Sequence, residues 1–457
     1  MAYFKKYGKF SKIVDFFSTV ILSISLISCH SIDKEDKPFQ IPKNIIVLIC
    51  DGCGYNHIAA TSFYQYGELE TQPYDSFPIK LAMSTYSESS EGYDVELVWE
   101  DFDYLLDSPT DSSAAATAMA SGTKTFNRVV GMDVEGNVLK NFLEVAEEFG
   151  KSTGIVTSVP VTHATPAGFA VHVDSRAKHA EIAQQYVYDS KLDVVMGAGH
   201  PLFDLYGQLV DNADYNYVGG EQTWNDLLAG EAGSNADDDG VVDYWTFVQS
   251  RQEFLDLASG ETPKRVFGLA KVGTTLQANR RGESQEPFDI PFITSVPSLA
   301  EMSQAALNVL NKNEDGLTLV IEGGAVDWMS HRNNSARMIE EHIQFNNTVQ
   351  SVIDWVEVNS SWNESLVIVT SDHETGYLTG PGSGLGGPVW TDIVNNGKGV
   401  LPGLQWNAGS HTNSLVPVFV KGTAAENFRN YILGNDIKYG EYIDNTSIAD
   451  VILSVLQ

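Results

Sequence analysis

Short apolar runs of strand length recur along the chain from residue 45 onward. The first run, 45–50, contains no polar position, and an unbroken run of this kind is typical of a parallel strand that is buried on both faces. Further apolar runs predict six more strands, at 153–159, 194–197, 265–270, 318–322, 366–371 and 416–420.

Helical patterns lie between several of these strands. Apolar residues that recur every three or four positions predict helices at 139–149, 177–188, 299–311 and 335–358. Strands that alternate with helices are typical of the α/β class. We therefore expect a single large domain over residues 44–457, with a doubly wound, mostly parallel central sheet flanked by helices.

Two stretches interrupt the alternation and are predicted as insertions, at about 203–262 and 378–409. The first is acidic and aromatic, and its segment 235–240 resembles the start of a calcium loop. Thr246 stands at the twelfth position, where such a loop has an acidic residue, so a solvated turn is favoured. The second is rich in glycine and proline, which indicates a long surface loop near the functional site.

The first 29 residues have the pattern of an export signal. Four lysines precede a mostly apolar run, 14–28, that is too short for a confident membrane span. The run ends in Leu-Ile-Ser-Cys29, which resembles a bacterial lipobox. We expect a lipidated Cys29, a polar tether over 30–43 and a protein anchored to the bacterial envelope, periplasmic or at the cell surface. A plain signal peptide or an anchor helix is the alternative.

Composition limits the partners of the chain. Among its 457 residues, 60 acids stand against 28 bases, for a net charge of −32. This charge argues against nucleic acid or anionic lipid as a partner, and it leaves the lipidated Cys29 as the one expected link to a membrane. An acidic surface also repels anionic substrates, so a phosphate site here needs its own local positive charge.

Cysteine is scarce, with only Cys29, Cys50 and Cys53 in the sequence. These three do not make a disulfide framework. Cys50 and Cys53 have the C-x-x-C spacing of a redox or zinc pair, but no second pair accompanies them. We interpret them as free thiols.

Acidic side chains follow three of the predicted strands. Asp51 comes directly after the first strand, Glu322 ends the strand at 318–322, and Asp372 with His373 follows the strand at 366–371. A carboxylate at the carboxyl end of a parallel strand points into the crevice where α/β folds bind ligands. The turns after these strands use the same residue types, so each motif alone is weak.

Further potential metal ligands lie nearby in the predicted fold. Asp327 and His331 are four residues apart, on one face of a helix, which suits zinc; an N-terminal helix acid with a surface histidine is the alternative. His411 adds a third imidazole. Together with the strand-end acids, these are too many ligands for one zinc ion and suit two or three cations. Without metal, the acids would repel one another strongly.

A helix of small residues is predicted from Ser112 to Gly122. Thr110 or Asp111 can cap its N-terminus, where unpaired N–H groups and the helix dipole favour an anion attached to Ser112. Taken alone, the stretch is more typical of a capped packing helix of small residues. Arg176 follows the segment His163-Ala-Thr165-Pro166. Its planar guanidinium can donate paired hydrogen bonds to phosphate oxygens. The alternative is a surface residue.

Taken together, these motifs show that residues 44–457 resemble the alkaline phosphatase family. Their order and spacing are specific in combination. The matching pieces are Asp51-Gly52-x-Gly54, Asp111-Ser112-Ser113-Ala114, His163-Ala164-Thr165-Pro166 with Arg176, Glu322-Gly323-Gly324-Ala325-x-Asp327-x-x-x-His331, Asp372-His373 and His411-Thr412. The other histidines have no such context and are interpreted as solvated or structural: His30, His57, His172, His179, His200 and His342.

The resemblance implies a broad-specificity phosphomonoester hydrolase that releases inorganic phosphate. It implies Ser112 as the phosphorylated nucleophile, Arg176 as the residue that holds the phosphoryl oxygens, and a homodimer. It also implies two zinc ions and one magnesium ion. The implied ligands are Asp327, His331 and His411 for one zinc, Asp51, Asp372 and His373 for the other, and Asp51, Thr165 and Glu322 for magnesium.

Two positions depart from the enteric bacterial member of that family. His163 stands where that enzyme has aspartate, and Trp328 stands where it has lysine. Both positions border the implied magnesium and phosphate sites. The residue types at these two positions affect how tightly the third metal is held and how fast phosphate leaves the site.

Two other functions stay open from the sequence. One is a phosphodiesterase or sulfatase on the same scaffold, although the sequence has no sulfatase signature and the nucleophile is serine beside alanine. The other is a lipid-anchored protein that binds metal or phosphate without turnover. The presence of both a nucleophile, Ser112, and Arg176 argues for an enzyme, because a binding protein needs no nucleophile.

Overall fold

The computed structural model describes residues 41–457. Its strands are β1 (Asn44–Cys50), β2 (Ile79–Ser84), β3 (Ser152–Pro160), β4 (Val194–Ala198), β5 (Gly233–Ser234), β6 (Asp243–Tyr244), β7 (Thr246–Val248), β8 (Val266–Leu269), β9 (Leu317–Gly323), β10 (Ser365–Thr370), β11 (Glu374–Thr375), β12 (Leu378–Thr379), β13 (Gln405–Trp406), β14 (His411–Thr412), β15 (Val416–Gly422), β16 (Gly434–Asp436) and β17 (Gly440–Asp444). Its α-helices are α1 (Tyr55–Tyr66), α2 (Leu97–Glu100), α3 (Ser112–Ser121), α4 (Phe142–Glu148), α5 (Ala164–Gly168), α6 (His179–Gln184), α7 (Glu221–Ala229), α8 (Arg251–Ser259), α9 (Leu299–Leu310), α10 (Ala325–His331), α11 (Ser335–Asn359) and α12 (Thr446–Leu456).

The main sheet has eleven strands in the order β16-β17-β2-β15-β10-β1-β9-β3-β4-β8-β7. β1 lies between β9 and β10 and pairs with both in parallel. β15 runs antiparallel to both of its neighbours, β10 and β2. The predicted α/β fold with one large, mostly parallel sheet is confirmed.

Helices cover both faces of this sheet, and β1 contributes to the core on each side. Ile46 and Leu48 pack in a core with residues of α1, α9 and α11. Val47 and Ile49, which point the other way, pack in a second core with residues of α3, α4 and α12. Because successive strand residues face opposite sides, this double burial explains why the run 45–50 has no polar position.

The predicted strands and helices lie within a few residues of the observed ones, with two differences inside the described range. The helix predicted at 177–188 is α-helical only over His179–Gln184 and continues as a π-helical turn, Gln185–Asp189. The insertion at 203–262 is not wholly outside the sheet, because its segment Thr246–Val248 adds the edge strand β7. Sequence patterns also missed β2, α1 and α12.

The acidic segment 235–240 is held by lysines. Asp237 pairs with Lys264, and Asp238 pairs with Lys191. These contacts agree with the favoured interpretation, a solvated turn.

The N-terminal predictions concern residues that the structure does not cover. The export signal over 1–29 with its Cys29, and the tether up to residue 40, lie outside the described residues. In the part of the chain from residue 41 onward, no helix is both long enough and apolar enough to cross a membrane.

Glu341 on α11 is expected to lower stability at high pH. Its Oε1 is buried without a hydrogen-bond partner in the described chain, and burial, with the neighbouring Glu340, raises the pKa of Glu341 to about 8. An unfolded glutamate has a pKa of about 4.3, so the stability contributed by the protonated form is lost as the pH rises through about 8. We expect Glu341→Gln to raise Tm by about 1–3 °C at pH 9 relative to wild type, with no gain at pH 5.

The matched control for this measurement is Glu340→Gln. Glu340 accepts a hydrogen bond from Nη2 of Arg280 at 2.6 Å, and both side chains are buried. Removing its charge leaves a buried guanidinium unpaired, so Tm should fall at both pH values. Equal Tm values for wild type and Glu341→Gln at pH 9 would contradict the prediction.

Candidate active site and metal centre

The carboxyl ends of the three central strands deliver the buried acids. Asp51 follows β1, Glu322 is near the end of β9, and Asp372 with His373 follows β10; none of these four side chains has measurable exposure. Gly52 allows the end of β1 to approach α10 closely. It has φ +76°, and a side-chain carbon on it would lie 2.7 Å from Cα of Asp327.

The first ligand group consists of Asp327, His331 and His411. Nε2 of His331 lies 3.3 Å from Oδ1 of Asp327, and Nε2 of His411 lies 3.5 Å from the same oxygen. The i, i+4 spacing on α10 places Asp327 and His331 together as the sequence predicts. His411 arrives through the short ladder between β11 and β14, in which Thr375 pairs with His411.

The two imidazoles of this group are oriented by main-chain carbonyls. Nδ1 of His331 donates to the carbonyl of Gly409 at 2.9 Å, and Nδ1 of His411 donates to the carbonyl of Thr110 at 2.8 Å. A carbonyl can only accept, so in neutral imidazoles the lone pairs lie on the two Nε2 atoms, which are 3.1 Å apart. Two facing lone pairs repel unless a cation lies between them, as in histidine metal sites.

The second ligand group consists of Asp51, Asp372 and His373. Nε2 of His373 lies 3.7 Å from Oδ1 of Asp51 and 3.2 Å from Oδ2 of Asp372. Burial lowers the pKa of His373 well below its usual range, so its imidazole is neutral. Neutral imidazole is the form that binds metal.

A third, oxygen-rich group surrounds the other side of Asp51. The Thr165 hydroxyl donates to Oδ2 of Asp51 at 3.4 Å, and ligand atoms of Asp51, His163 and Glu322 lie within 4.8 Å of one another. His163 packs against Trp328, with ring centroids 5.5 Å apart. These two rings therefore border the third group, as expected from their sequence positions.

Unpaired buried atoms provide a test of whether cations fit these groups. Asp51 Oδ1, Asp372 Oδ2, Glu322 Oε1 and His163 Nδ1 are all buried with no hydrogen-bond partner among the described residues. Unpaired buried carboxylates are costly, and burial raises the pKa of Asp51 well above its usual range. Divalent cations would satisfy all four atoms. The two histidine-containing sets suit zinc, and the oxygen-rich set suits magnesium.

Ser112 begins α3 and contacts the second ligand group. Asp111 caps the helix, because its Oδ1 accepts the N–H of Ala114 at 3.0 Å. The Ser112 hydroxyl lies 3.2 Å from Nε2 of His373 and is almost fully buried. The predicted cap therefore fixes a hydroxyl directly beside the candidate metal ligands.

Arg176 is held at the same place by Asp111. Its Nη1 donates to Oδ2 of Asp111 at 3.0 Å. The main-chain N–H of Arg128, a residue with φ +76°, donates to that oxygen at 3.1 Å. Asp111 thus links the helix that carries Ser112 to the arginine. The sequence predicts only its capping role.

Ser112, Arg176 and the first ligand group open into one cleft with a volume of about 650 Å³, a size typical of ligand sites. Arg128, Arg176 and Arg332 line it, and they supply the local positive charge that an acidic protein needs at a phosphate site. The other lining residues are Pro109, Thr110, Asp111, Ser112, Asn127, His163, Asp327, Trp328, His331, Ser410 and His411.

Two threonines that sequence reasoning missed hold the acids in place. The Thr375 hydroxyl donates to Oδ1 of Asp327 at 2.6 Å, and the Thr157 hydroxyl donates to Glu322. Thr375 stands two residues after His373, which is the one local signal that could have drawn attention to it. Thr157 lies inside a buried strand, where no pattern distinguishes it from a core residue.

The structure brings together all twelve residues predicted for the site. They are Asp51, Ser112, His163, Thr165, Arg176, Glu322, Asp327, Trp328, His331, Asp372, His373 and His411. Of the histidines left aside in the sequence, His172 contacts Glu144 and His200 contacts Gln249, away from this cleft.

Comparison with known proteins identifies related chains. A family model described as alkaline phosphatase matches residues 42–398. The protein "Alkaline phosphatase 3" of Bacillus subtilis is 31% identical over 342 residues, which are 73% of this chain and 61% of that protein. "Alkaline phosphatase" of Escherichia coli is 27% identical over 414 residues, which are 86% of this chain and 83% of that protein. The chain thus spans less than two thirds of the Bacillus relative.

Solved structures share the fold. The alkaline phosphatase from the Antarctic bacterium TAB5 has a TM-score of 0.61 at 23% identity, with 92% of this chain and 98% of that chain covered. The Thermus thermophilus alkaline phosphatase has a TM-score of 0.62 at 21% identity, with 90% and 91% covered.

Proposed function

The chain belongs to the alkaline phosphatase family, and from this premise we propose that it is a metal-dependent phosphomonoester hydrolase that acts through a phosphoserine on Ser112. The observation that carries the proposal is the 3.2 Å distance between the Ser112 hydroxyl and Nε2 of His373. This short distance places the nucleophile Ser112 next to a set of metal ligands. Arg176, held by Asp111, lies in the same cleft.

We assign the metals by the chemistry of the donor sets. Asp327, His331 and His411 would hold one zinc, Asp51, Asp372 and His373 a second zinc, and Asp51, Thr165 and Glu322 a magnesium. When bound, these cations stabilise the charge that develops on the entering and leaving oxygens of an in-line displacement. A structure of a histidine-to-aspartate variant of the TAB5 alkaline phosphatase has Mg bound.

The residues of the chain carry out the remaining steps. The Arg176 fork holds two oxygens of the phosphoryl group and orients it toward Ser112. The Ser112 oxygen forms a bond to phosphorus while the bond to the alcohol oxygen breaks, and the alcohol leaves. Water then attacks the phosphoserine, which restores the hydroxyl and releases inorganic phosphate.

Broad specificity follows from where the contacts lie. Every contact assigned above involves the phosphoryl group, and the cleft is open to solvent. The alcohol part of the substrate has no assigned partner. We therefore propose many phosphomonoesters as substrates, with no nucleic-acid binding as such.

Comparing three esters tests this function. A phosphomonoester has three free oxygens for Arg176 and the cations, whereas a diester has a second alkyl group and a sulfate ester has less negative charge. We expect turnover of an aryl phosphate monoester to exceed that of the matched diester and sulfate ester by roughly 100-fold or more. Faster turnover of the diester or the sulfate ester would replace the proposal with one of those activities. One product equivalent without further turnover would indicate a binding protein.

We also propose that the protein is exported, anchored to the bacterial envelope through a lipidated Cys29, and homodimeric. The lipobox-like sequence Leu-Ile-Ser-Cys29 supports the export and the lipid anchor. Members of the family are commonly homodimers, which supports the dimer. In cells, wild type should fractionate with membranes and Cys29→Ala should become soluble; equal fractionation would contradict the anchor.

Sedimentation of the purified protein should give the mass of two chains, and the mass of one chain would contradict the dimer.

A further inference from the structure

A second group of potential metal ligands lies on the α1–α11 side of β1, outside the site described above. It consists of Cys50, Cys53 and His342, whose ligand atoms all lie within 4.8 Å of one another. Sγ of Cys53 is 3.7 Å from Nε2 of His342. The three side chains are 3%, 2% and 0% exposed, so solvent does not satisfy them.

The turn after β1 brings the two thiols to one side. The N–H of Cys53 donates to the carbonyl of Cys50 at 3.2 Å, and Gly52 between them has φ +76°. A tight turn with the C-x-x-C spacing is the usual way in which one segment supplies two thiolates to zinc. The same N–H of Cys53 also donates to the hydroxyl of Ser371. This second contact anchors the turn to the end of β10.

His342 is oriented as metal-binding histidines are. Its Nδ1 lies 2.8 Å from the hydroxyl of Thr61 on α1. In the tautomer with its proton on Nδ1, the ring donates to Thr61 and the Nε2 lone pair faces Cys53. A fixed partner on the other nitrogen is typical of imidazole ligands. The Tyr74 hydroxyl lies 3.3 Å from the same Nε2.

We propose that Cys50, Cys53 and His342 bind one zinc ion at a structural site separate from the catalytic metals. Two thiolates balance the charge of Zn²⁺, so the filled site is neutral, which suits a buried position. Binding forms two Zn–S bonds and one Zn–N bond and releases the two thiol protons. The ion would tie the turn that carries Asp51 to the helix α11.

This proposal revises the interpretation of the thiols from the sequence. The C-x-x-C pair has no second pair to complete a zinc site, so the sequence predicts two free thiols, and in the structure neither Cys50 nor Cys53 forms a disulfide. The structure supplies the missing donor from His342, 289 residues away from Cys53. The competing explanation is a buried cluster in which the thiols only donate hydrogen bonds to His342.

Cobalt substitution in the full-length protein distinguishes these explanations. Protein grown in zinc-depleted, cobalt-supplemented medium should show the near-ultraviolet charge-transfer band of thiolate bound to Co²⁺. The carboxylates and imidazoles of the candidate active site cannot produce this band. The double variant Cys50→Ser/Cys53→Ser should abolish it, each single serine variant should weaken it, and His342→Gln should weaken or shift it. The matched controls, Cys29→Ser and His172→Gln, should keep it unchanged.

A measurement on wild type covers the case in which these variants fail to fold. A thiol-directed mercurial added to zinc-grown protein should release one equivalent of zinc to a colorimetric chelator, because this is the only ligand group within residues 41–457 that contains sulfur. Release of one equivalent supports the proposal. Cobalt-loaded wild type without the charge-transfer band, or a band of wild-type intensity in the double variant Cys50→Ser/Cys53→Ser, overturns it.

Discussion

Ser112→Ala is expected to reduce kcat for an aryl phosphate by at least about 1,000-fold, because the variant has no atom that can form the bond to phosphorus. The Ser112 hydroxyl is the only part of this side chain that contacts the ligand groups, through His373 at 3.2 Å. The candidate metal ligands keep their positions, so metal content should equal that of wild type. Steady-state assays and metal analysis by mass spectrometry check both statements.

Ser121→Ala is the matched control for this experiment. Ser121 is the last residue of the same helix, and its hydroxyl donates to the carbonyl of Thr117 rather than to the cleft. Its loss should change kcat by less than about twofold, in line with a surface substitution. Wild-type turnover in Ser112→Ala would remove Ser112 from the mechanism. Loss of metal in that variant would show a structural defect instead.

Metal removal is the second change with a large expected effect. The cations are expected to contribute several kcal/mol to transition-state stabilisation, so dialysis against a chelator should reduce turnover by roughly 100-fold or more. Zinc with magnesium should restore it. Full activity in protein shown to contain no metal would contradict the assignment of the three ligand groups.

Recovery from the metal-free state should depend on pH. Burial raises the pKa of Glu322 to about 7 and that of Asp372 to about 8, so at pH 6 both carboxyls hold protons that compete with the metal. Reconstitution at pH 9 should therefore restore more metal and more activity than reconstitution at pH 6, when both samples are assayed at one common pH. Equal recovery at the two pH values would contradict competition between these protons and the metal.

The central strands could be predicted because their environment is uniform. β1, β9 and β10 are buried on both faces, so an apolar run is sufficient to identify each one. β2 was missed because its exposed Lys80 interrupts the apolar run. α12 was missed although it is apolar, because a short apolar run at the end of a chain does not distinguish a helix from a strand.

Site residues could be predicted where they lie at the end of a strand or are separated by the helical repeat. Asp51 and Asp372 follow from the topology of a parallel sheet, and Asp327 with His331 follows from the helix repeat. The second contact of Asp111, with Arg176, could not be predicted, because it joins segments 65 residues apart. His342 shows the same limit, since nothing near it in sequence indicates a partner.

The position of β1 in the sheet also constrains how the protein is made. Its two sheet neighbours, β9 and β10, belong to residues 317–370, and a ribosome releases the chain from its N-terminus. Until those strands emerge, β1 is an apolar segment with no partner, and such segments invite aggregation. A nascent or interrupted chain should therefore depend on chaperones, and it cannot assemble a metal site before most of the polypeptide has been synthesised.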